Sequence, residues 1–158
     1  MIQVICPVCG AALAPQGAAW RCVQGHCFDV ARQGYVNLLT VTQKHSRHPG
    51  DTREMVAARR AFLDAGWYAP IAKTLADLVR RFCPETASVL DAGCGEGYYL
   101  SQLGWVPERW GIDISRDAVR YAAVRDRSAH WLTATAAHLP FADGGFDCVL
   151  SMFALTAG

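Results

Sequence analysis

The sequence predicts an α/β fold preceded by a small cysteine-rich module, and three observations support this. Four of the seven cysteines crowd into residues 6–27. A glycine-rich stretch, LDAGCGEGYY at residues 90–99, continues a short apolar run. From there on, apolar runs alternate with helical segments, the rhythm of βαβ units on a parallel sheet. The expected organisation is a module over residues 1–38, a basic linker with two helices over 39–84, and a parallel-sheet domain over 85–158.

A chain of 158 residues fits one domain, or a small module with part of a larger one. Its composition, 52% apolar and 18% charged, is that of a globular protein. A net charge of +1 excludes a global field for nucleic acid or membrane, so any basic surface must be local. The start, MIQVICPVCG, lacks the basic and long apolar regions of a signal peptide. No run approaches the ~18 apolar residues of a membrane span. These features predict a cytoplasmic protein with no membrane partner. Clustered cysteines in that setting bind metal more often than they pair.

The elements follow in order. TVTQKHSRHPGD (40–51) is polar and basic and reads as a linker. DTRE (51–54) has capping-box spacing, predicting a helix over 52–65 stopped by Gly66. Pro70 suits the first turn of a second helix and Pro84 ends it. Ile71, Leu75, Leu78, Val79 and Phe82 share one face of that helix. SVLDAG is a strand running into glycines, followed by a short helix. WGIDIS (110–115) is a second strand, and Ser115 caps the helix RDAVRYAAVRDR. HWLTATA (130–136) and FDCVLSMFAL (146–155) complete four strands.

Cys6 and Cys9 form a C-x2-C knuckle, and Cys22-Val-Gln-Gly-His26 follows after twelve intervening residues with Cys27 adjacent. Two donors from each make a tetrahedral zinc site, the fourth ligand being His26 or Cys27. Thirty-odd residues build little core, so zinc would supply the folding energy.

The glycine loop narrows the second ligand. Gly93, Gly95 and Gly97 give G-x-G-x-G, whereas a dinucleotide fingerprint puts its third glycine where Tyr98 stands. A Walker loop needs a following Gly-Lys-Ser/Thr, which is absent. A diphosphate would face Asp91 and Glu96 with no Lys or Arg nearby, and like charges repel. S-adenosylmethionine (SAM) carries an ammonium and a sulfonium, and glycines let its methionyl end approach the backbone closely. Asp113, at the end of the second strand, is placed to accept from ribose hydroxyls. A tight turn needed only for packing is the plain alternative. Residues 135–138, Thr-Ala-Ala-His, follow the third strand; His138 reads as a surface residue.

These motifs resemble the class I SAM-dependent methyltransferases. With CPVC, CVQGHCFDVARQGYVNLL and HSRHPGDTREMVAARRAFLDAGWY in front of LDAGCGEGYY, the chain is similar over nearly its whole length to bacterial 23S rRNA (guanine-N1)-methyltransferases with an N-terminal zinc finger. The resemblance implies Cys6, Cys9, Cys22 and His26 as zinc ligands. It implies that Tyr68 contacts the cofactor together with the loop residues Asp91, Gly93, Cys94, Gly95, Glu96 and Gly97 and with Asp113. The implied substrate is one guanine of a 23S rRNA hairpin, recognised in its loop. Lys44, Arg47, Arg53, Arg59 and Arg60, with His45 and His48, form the one local basic concentration and would contact phosphates. Trp67 and Tyr68 offer stacking surface or core packing. A homodimer is left open.

Methyl transfer to guanine N1 requires alignment and removal of the N1 proton, and no residue stands out as the base. The chain stops at SMFALTAG with four strands, where such enzymes have seven, so the expectation is a shortened product with weak or no turnover. FDCVLSMFAL reads as a central strand that would lie at an edge. Two alternatives remain: a SAM methyltransferase of small metabolites, and a non-catalytic zinc-dependent RNA-binding module.

Overall fold

The computed structural model describes residues 2–40, 52–85 and 87–152. The N-terminal module is an antiparallel ribbon of three short strands, β1 (Ala14–Gln16), β2 (Ala19–Arg21) and β3 (Cys27–Asp29), in the order β1-β2-β3. Next come β4 (Tyr35–Asn37), α1 (Arg53–Asp64), α2 (Ala69–Phe82), β5 (Ser88–Ala92), β6 (Glu108–Asp113), α3 (Arg116–Arg125), β7 (His130–Thr133) and β8 (Cys148–Leu150). Strands β4 to β8 form one sheet in the order β4-β7-β6-β5-β8, with every pairing parallel.

Four parallel strands were expected and five are present. The extra one, β4, comes from residues the sequence grouped with the module. Tyr35, Val36 and Asn37 pair with Trp131, Leu132 and Thr133. A three-residue strand carries too little alternation to be read from sequence.

The helices begin and end for local reasons. Thr52, not Asp51, caps α1: its hydroxyl accepts from Met55 N at 3.2 Å. Asp51 lies outside the described residues. Ser115 caps α3 as expected, accepting from Ala118 N. Pro70 sits in the first turn of α2, where its missing N–H costs nothing. Of the predicted α2 face, Val79 is buried and Leu75 partly so, whereas Ile71, Leu78 and Phe82 are exposed. The apolar stripe is wider than the strip of α2 that meets the sheet. The helix expected after the glycine loop is one 3-10 turn, Leu100–Gln102. The side chains of Ser101 and Gln102 donate to the Tyr98 carbonyl, competing for an acceptor a longer helix would use.

Successive residues of a strand face opposite sides, so the sheet builds two cores. On one side Val89 and Trp131 pack with Val79 of α2 and Val119 and Ala122 of α3. On the other side Leu90, Trp110, Ile112 and Leu132 pack with Ile2, Val4, Cys6, Leu13 and Cys22. The ribbon therefore covers the face that a helix would ordinarily cover in a parallel sheet. Backbone bonds join the two: Ile5 N donates to Pro140 O at 2.8 Å, Ala142 N to Gln3 O at 2.9 Å, and Leu38 N to Thr133 O at 2.8 Å. Burying Val4, Leu13 and Leu38 contributes roughly 1.5–3 kcal/mol each.

Among the described residues strand β8 lies at an edge of the sheet, and Val149 is exposed there. Residues 153–155 of the predicted fourth strand lie outside the described residues. At the amino end of β6, buried Arg109 is held by Asp126, Ser128 and the Val106 carbonyl.

Gly111 marks the tightest packing. A Cβ there would stand 2.4 Å from Trp131 Cζ3. Gly111→Ala should therefore destabilise the chain by ~1–3 kcal/mol through overpacking. The check is urea denaturation, in which the midpoint should fall while the slope is kept.

Candidate metal centre and cofactor loop

The metal centre is assembled from two turns of the ribbon. Cys6 and Cys9 lie on one, Cys22 and His26 on the other, and their donor atoms all fall within 4.8 Å of one another. His26 Nδ1 is 3.6 Å from Cys6 Sγ and 3.4 Å from Cys22 Sγ; Cys9 Sγ is 3.7 Å from Cys22 Sγ. Three thiols and one imidazole at these spacings suit a tetrahedral zinc ion. Cys27 does not join them: it is exposed and sits in β3, paired with Arg21. The choice between His26 and Cys27 is decided for His26. Burial pushes the Cys22 thiol up, but hydrogen bonds from the backbone of His26 and Gln24 and from the His26 ring outweigh it and bring it down to about 6. A thiol so lowered is mostly thiolate at neutral pH, the form that binds metal.

The glycine loop leaves the carboxyl end of β5 beside the carboxyl end of β6, where ligands of open α/β sheets bind. Its amides are largely consumed within the fold. Gly93 N and Cys94 N both donate to Ile112 O at 2.8 Å, and Gly97 N donates to Cys94 O at 3.0 Å. Gly95 N donates to Asp113 Oδ2 at 2.9 Å. With those four amides turned inward, the loop is a poor phosphate cradle. Gly97 has φ +84°, and a Cβ on it would lie 2.9 Å from Trp131 Cη2 and 3.0 Å from Ala122 Cβ. Only glycine fits there.

Three acids surround the loop. Asp91 is 1% exposed, and neither of its carboxylate oxygens has a hydrogen-bond partner. Burial pushes its carboxyl up to about 7, helped by the neighbouring charges of Asp113 and Glu96. Glu96 is also buried, and its Oε2 lacks a partner. Burial raises it too, with Arg59 and Arg125 pulling the other way. Asp113 is half-buried and accepts from Gly95 N on one oxygen and from Ser115 N at 2.8 Å on the other. A carboxylate has about four acceptor positions, so Asp113 keeps capacity for hydroxyl donors. Cys94 is fully buried, and its thiol is raised well above the ordinary range by that burial.

The remaining predicted residues are distributed unevenly. Tyr68 is half-buried at the start of α2, its ring edge-on to Phe62 at 5.1 Å, in a cluster with Tyr98 and Tyr99. Trp67 is 71% exposed, so core packing is excluded for it. His138 is exposed, as expected. Of the basic set, Lys44 and Arg47 lie outside the described residues, with His45 and His48. Arg53 is exposed at the start of α1. Arg60 places its guanidinium 4.4 Å above the Tyr121 ring. Arg59 reaches the glycine loop, with Nη1 4.0 Å from where a Gly95 Cβ would stand. The expectation that no Lys or Arg lies near the loop is thereby corrected, and again by Arg125, which donates to the Glu96 carbonyl and pairs with Asp64 of α1 at 3.0 Å. Both contacts join residues far apart in the chain.

Comparison with known proteins agrees with this geometry. The RlmA N-terminal zinc-ribbon family matches residues 4–47, and a methyltransferase-domain family matches 89–157. The 23S rRNA (guanine(748)-N(1))-methyltransferase of Streptomyces fradiae is 41% identical over 94% of this chain and 54% of its own length. The chain belongs to the RlmA-type zinc-ribbon methyltransferase family. A Micromonospora griseorubida relative bearing the 23S rRNA (guanine-N(1)-)-methyltransferase name is 40% identical over 94% of this chain and 57% of its own length. The chain thus spans about half the length of the curated relatives it matches. Among solved structures, a TehB-like SAM-dependent methyltransferase from Corynebacterium glutamicum superposes with a TM-score of 0.51 at 28% identity, covering 63% of this chain and 54% of that one. Family and fold are those the sequence motifs predicted. Among the described residues, no helix is long and apolar enough to cross a membrane.

Two outcomes check the site. Metal analysis of the purified chain should find one zinc per molecule, retained in Cys27→Ser and lost in His26→Ala. Gly97→Ala should destabilise the chain by ~2–4 kcal/mol, combining positive-φ strain with the clash at Trp131; thermal and urea melting measure it.

Proposed function

We propose that this chain carries the zinc ribbon and the SAM-binding loop of an enzyme that methylates N1 of a guanine in 23S rRNA, in the cytoplasm. The observation that carries the reading is Asp91: a carboxylate with no partner, buried beside two other acids at the carboxyl end of a parallel sheet. A buried charge without a counter-ion is costly, and a cationic ligand supplies one. SAM fits that demand, whereas a nucleotide diphosphate would add to the repulsion.

The binding assignment follows from the chemistry of each group. Asp91 and Glu96 would face the positive methionyl end. Gly93, Cys94, Gly95 and Gly97 would give it a wall without protruding side chains. Asp113 would accept from the ribose hydroxyls, and Tyr68 would cover the site from α2. Cys6, Cys9, Cys22 and His26 would hold the zinc. SAM supplies the activated methyl group. The chain's own part is to orient it, exclude water and hold the acceptor base in line. Lys44, Arg47 and Arg53 would contact phosphates and so set the RNA register. Arg59 and Arg60 reach the loop and Tyr121, so they would serve the RNA from the rim of the cofactor site. Trp67 is exposed enough to stack on an unpaired base. The relatives' printed names support the substrate.

The direct test is transfer of label from SAM to a 23S rRNA hairpin, with the modified guanine mapped by a primer-extension stop. Label on small molecules alone, or label on the RNA at a position other than guanine N1, would overturn the reading. The Asp91 carboxyl also makes the site pH-dependent. The ionised form holds the cation, so SAM affinity should fall as pH drops through about 7, by up to ~tenfold per pH unit below it; calorimetric titrations across pH check this. Asp91→Asn should flatten that profile and weaken SAM by ~10- to 100-fold, or ~1.4–2.7 kcal/mol. In the ligand-free protein the sign reverses. A carboxyl raised on folding lowers stability as pH climbs from ~4 toward ~7, so Asp91→Asn should raise Tm at neutral pH.

A further inference from the structure

The metal centre and the glycine loop lie on different elements, yet they share a core. Cys6 is 2% exposed and Cys22 8%, and both belong to the cluster that contains Leu90, Ile112, Leu132, Ala134 and Phe141. Leu90 and Ile112 are the residues immediately before Asp91 and Asp113. The Ile112 carbonyl is the acceptor that fixes Gly93 and Cys94. Any shift of Ile112 is therefore a shift of the loop.

A second connection runs through the segment after β7. Ile5, next to ligand Cys6, donates to Pro140 O, and Gln3 O accepts from Ala142 N. That segment begins at Ala134, whose N–H donates to Asp113 O at 3.1 Å. The N-terminal module thus grips the far end of a stretch whose near end is fastened to the carboxyl end of β6. Without metal, the three thiols and the imidazole within 4.8 Å of one another are joined by long sulfur contacts of 3.4–3.7 Å, much weaker than metal–ligand bonds. Three strands of three residues each cannot keep the turns closed on their own.

We propose that the zinc centre is a positioning element of the cofactor site: by closing the ribbon onto the sheet, Cys6 and Cys22 hold Ile112, the glycine loop and segment 134–142 in the geometry that binds SAM. This deepens the SAM reading and rests on it. Binding of zinc and of SAM is then coupled, and linkage requires each to tighten the other by the same factor.

The experiment uses the full zinc-loaded chain and sinefungin, a SAM analogue, in calorimetric titrations. Stripping zinc with EDTA should weaken sinefungin at least ~tenfold, and cobalt(II), but not magnesium, should restore it. In competition with a chromophoric chelator, saturating sinefungin should tighten zinc binding by the same factor. That arm reads the coupling even if the stripped chain loses its fold. Cys22→Ala should lose sinefungin affinity, and Cys22→His, which keeps a tetrahedral donor set, should regain it. Equal sinefungin affinity with and without zinc, or zinc affinity indifferent to sinefungin, overturns the proposal. No sinefungin binding to the zinc-loaded chain would instead overturn the SAM reading beneath it.

Discussion

A parallel sheet must be covered on both faces, and here two quite different structures do it. Helices α2 and α3 close one side over Val89, Val119 and Trp131. A ribbon of three short strands closes the other over Leu90, Trp110, Ile112 and Leu132. The N-terminal module is seated there by Ile2, Val4 and Leu13 packing on the sheet and by a few backbone bonds, with the four metal-ligating side chains at its turns. The cofactor loop springs from the same strands. The module covers the sheet, and the sheet aims the loop.

Within that arrangement the loop is organised by carboxylates rather than by free amides. Four of its N–H groups are spent on Ile112, Cys94 and Asp113. Three acids crowd the site, Asp91 and Glu96 buried and Asp113 at the rim, with the Arg59 guanidinium close to Gly95. Such crowding is unfavourable in the empty fold, and the buried Asp91 shows it by holding its proton up to about 7. Unfavourable carboxylate clusters of this kind are expected at binding sites rather than in structural turns.

The zinc ligands, the glycine loop and Asp113 were legible because each is a local pattern whose spacing carries the chemistry. Glycines at 93, 95 and 97 and cysteines at 6, 9 and 22 can be read without knowing what lies across from them. Strand β4 was not legible, since three residues show no periodicity and its partner Trp131 is far along the chain. Arg59 was read with the basic linker, but helix α1 lies against the loop and turns it toward Gly95. On α2, Ile71, Leu78 and Phe82 fit the helical period yet remain exposed, because the sheet's core takes only Leu75 and Val79, while Ala72 packs against Leu63, Tyr98 and Tyr99.

By itself the sequence determined the ligand chemistry: a thiol-rich metal site, and an acidic glycine turn suited to a positively charged methyl donor. Those properties follow from residue type and short spacing, which the chain carries wherever it folds. Only the tertiary structure decided that Cys27 is drawn into β3 away from the metal set, that the ribbon is the sheet's second cover, and that Asp91 is sealed away from any partner. Each of these depends on which distant segments meet, and such meetings are set by the shape of the assembled core.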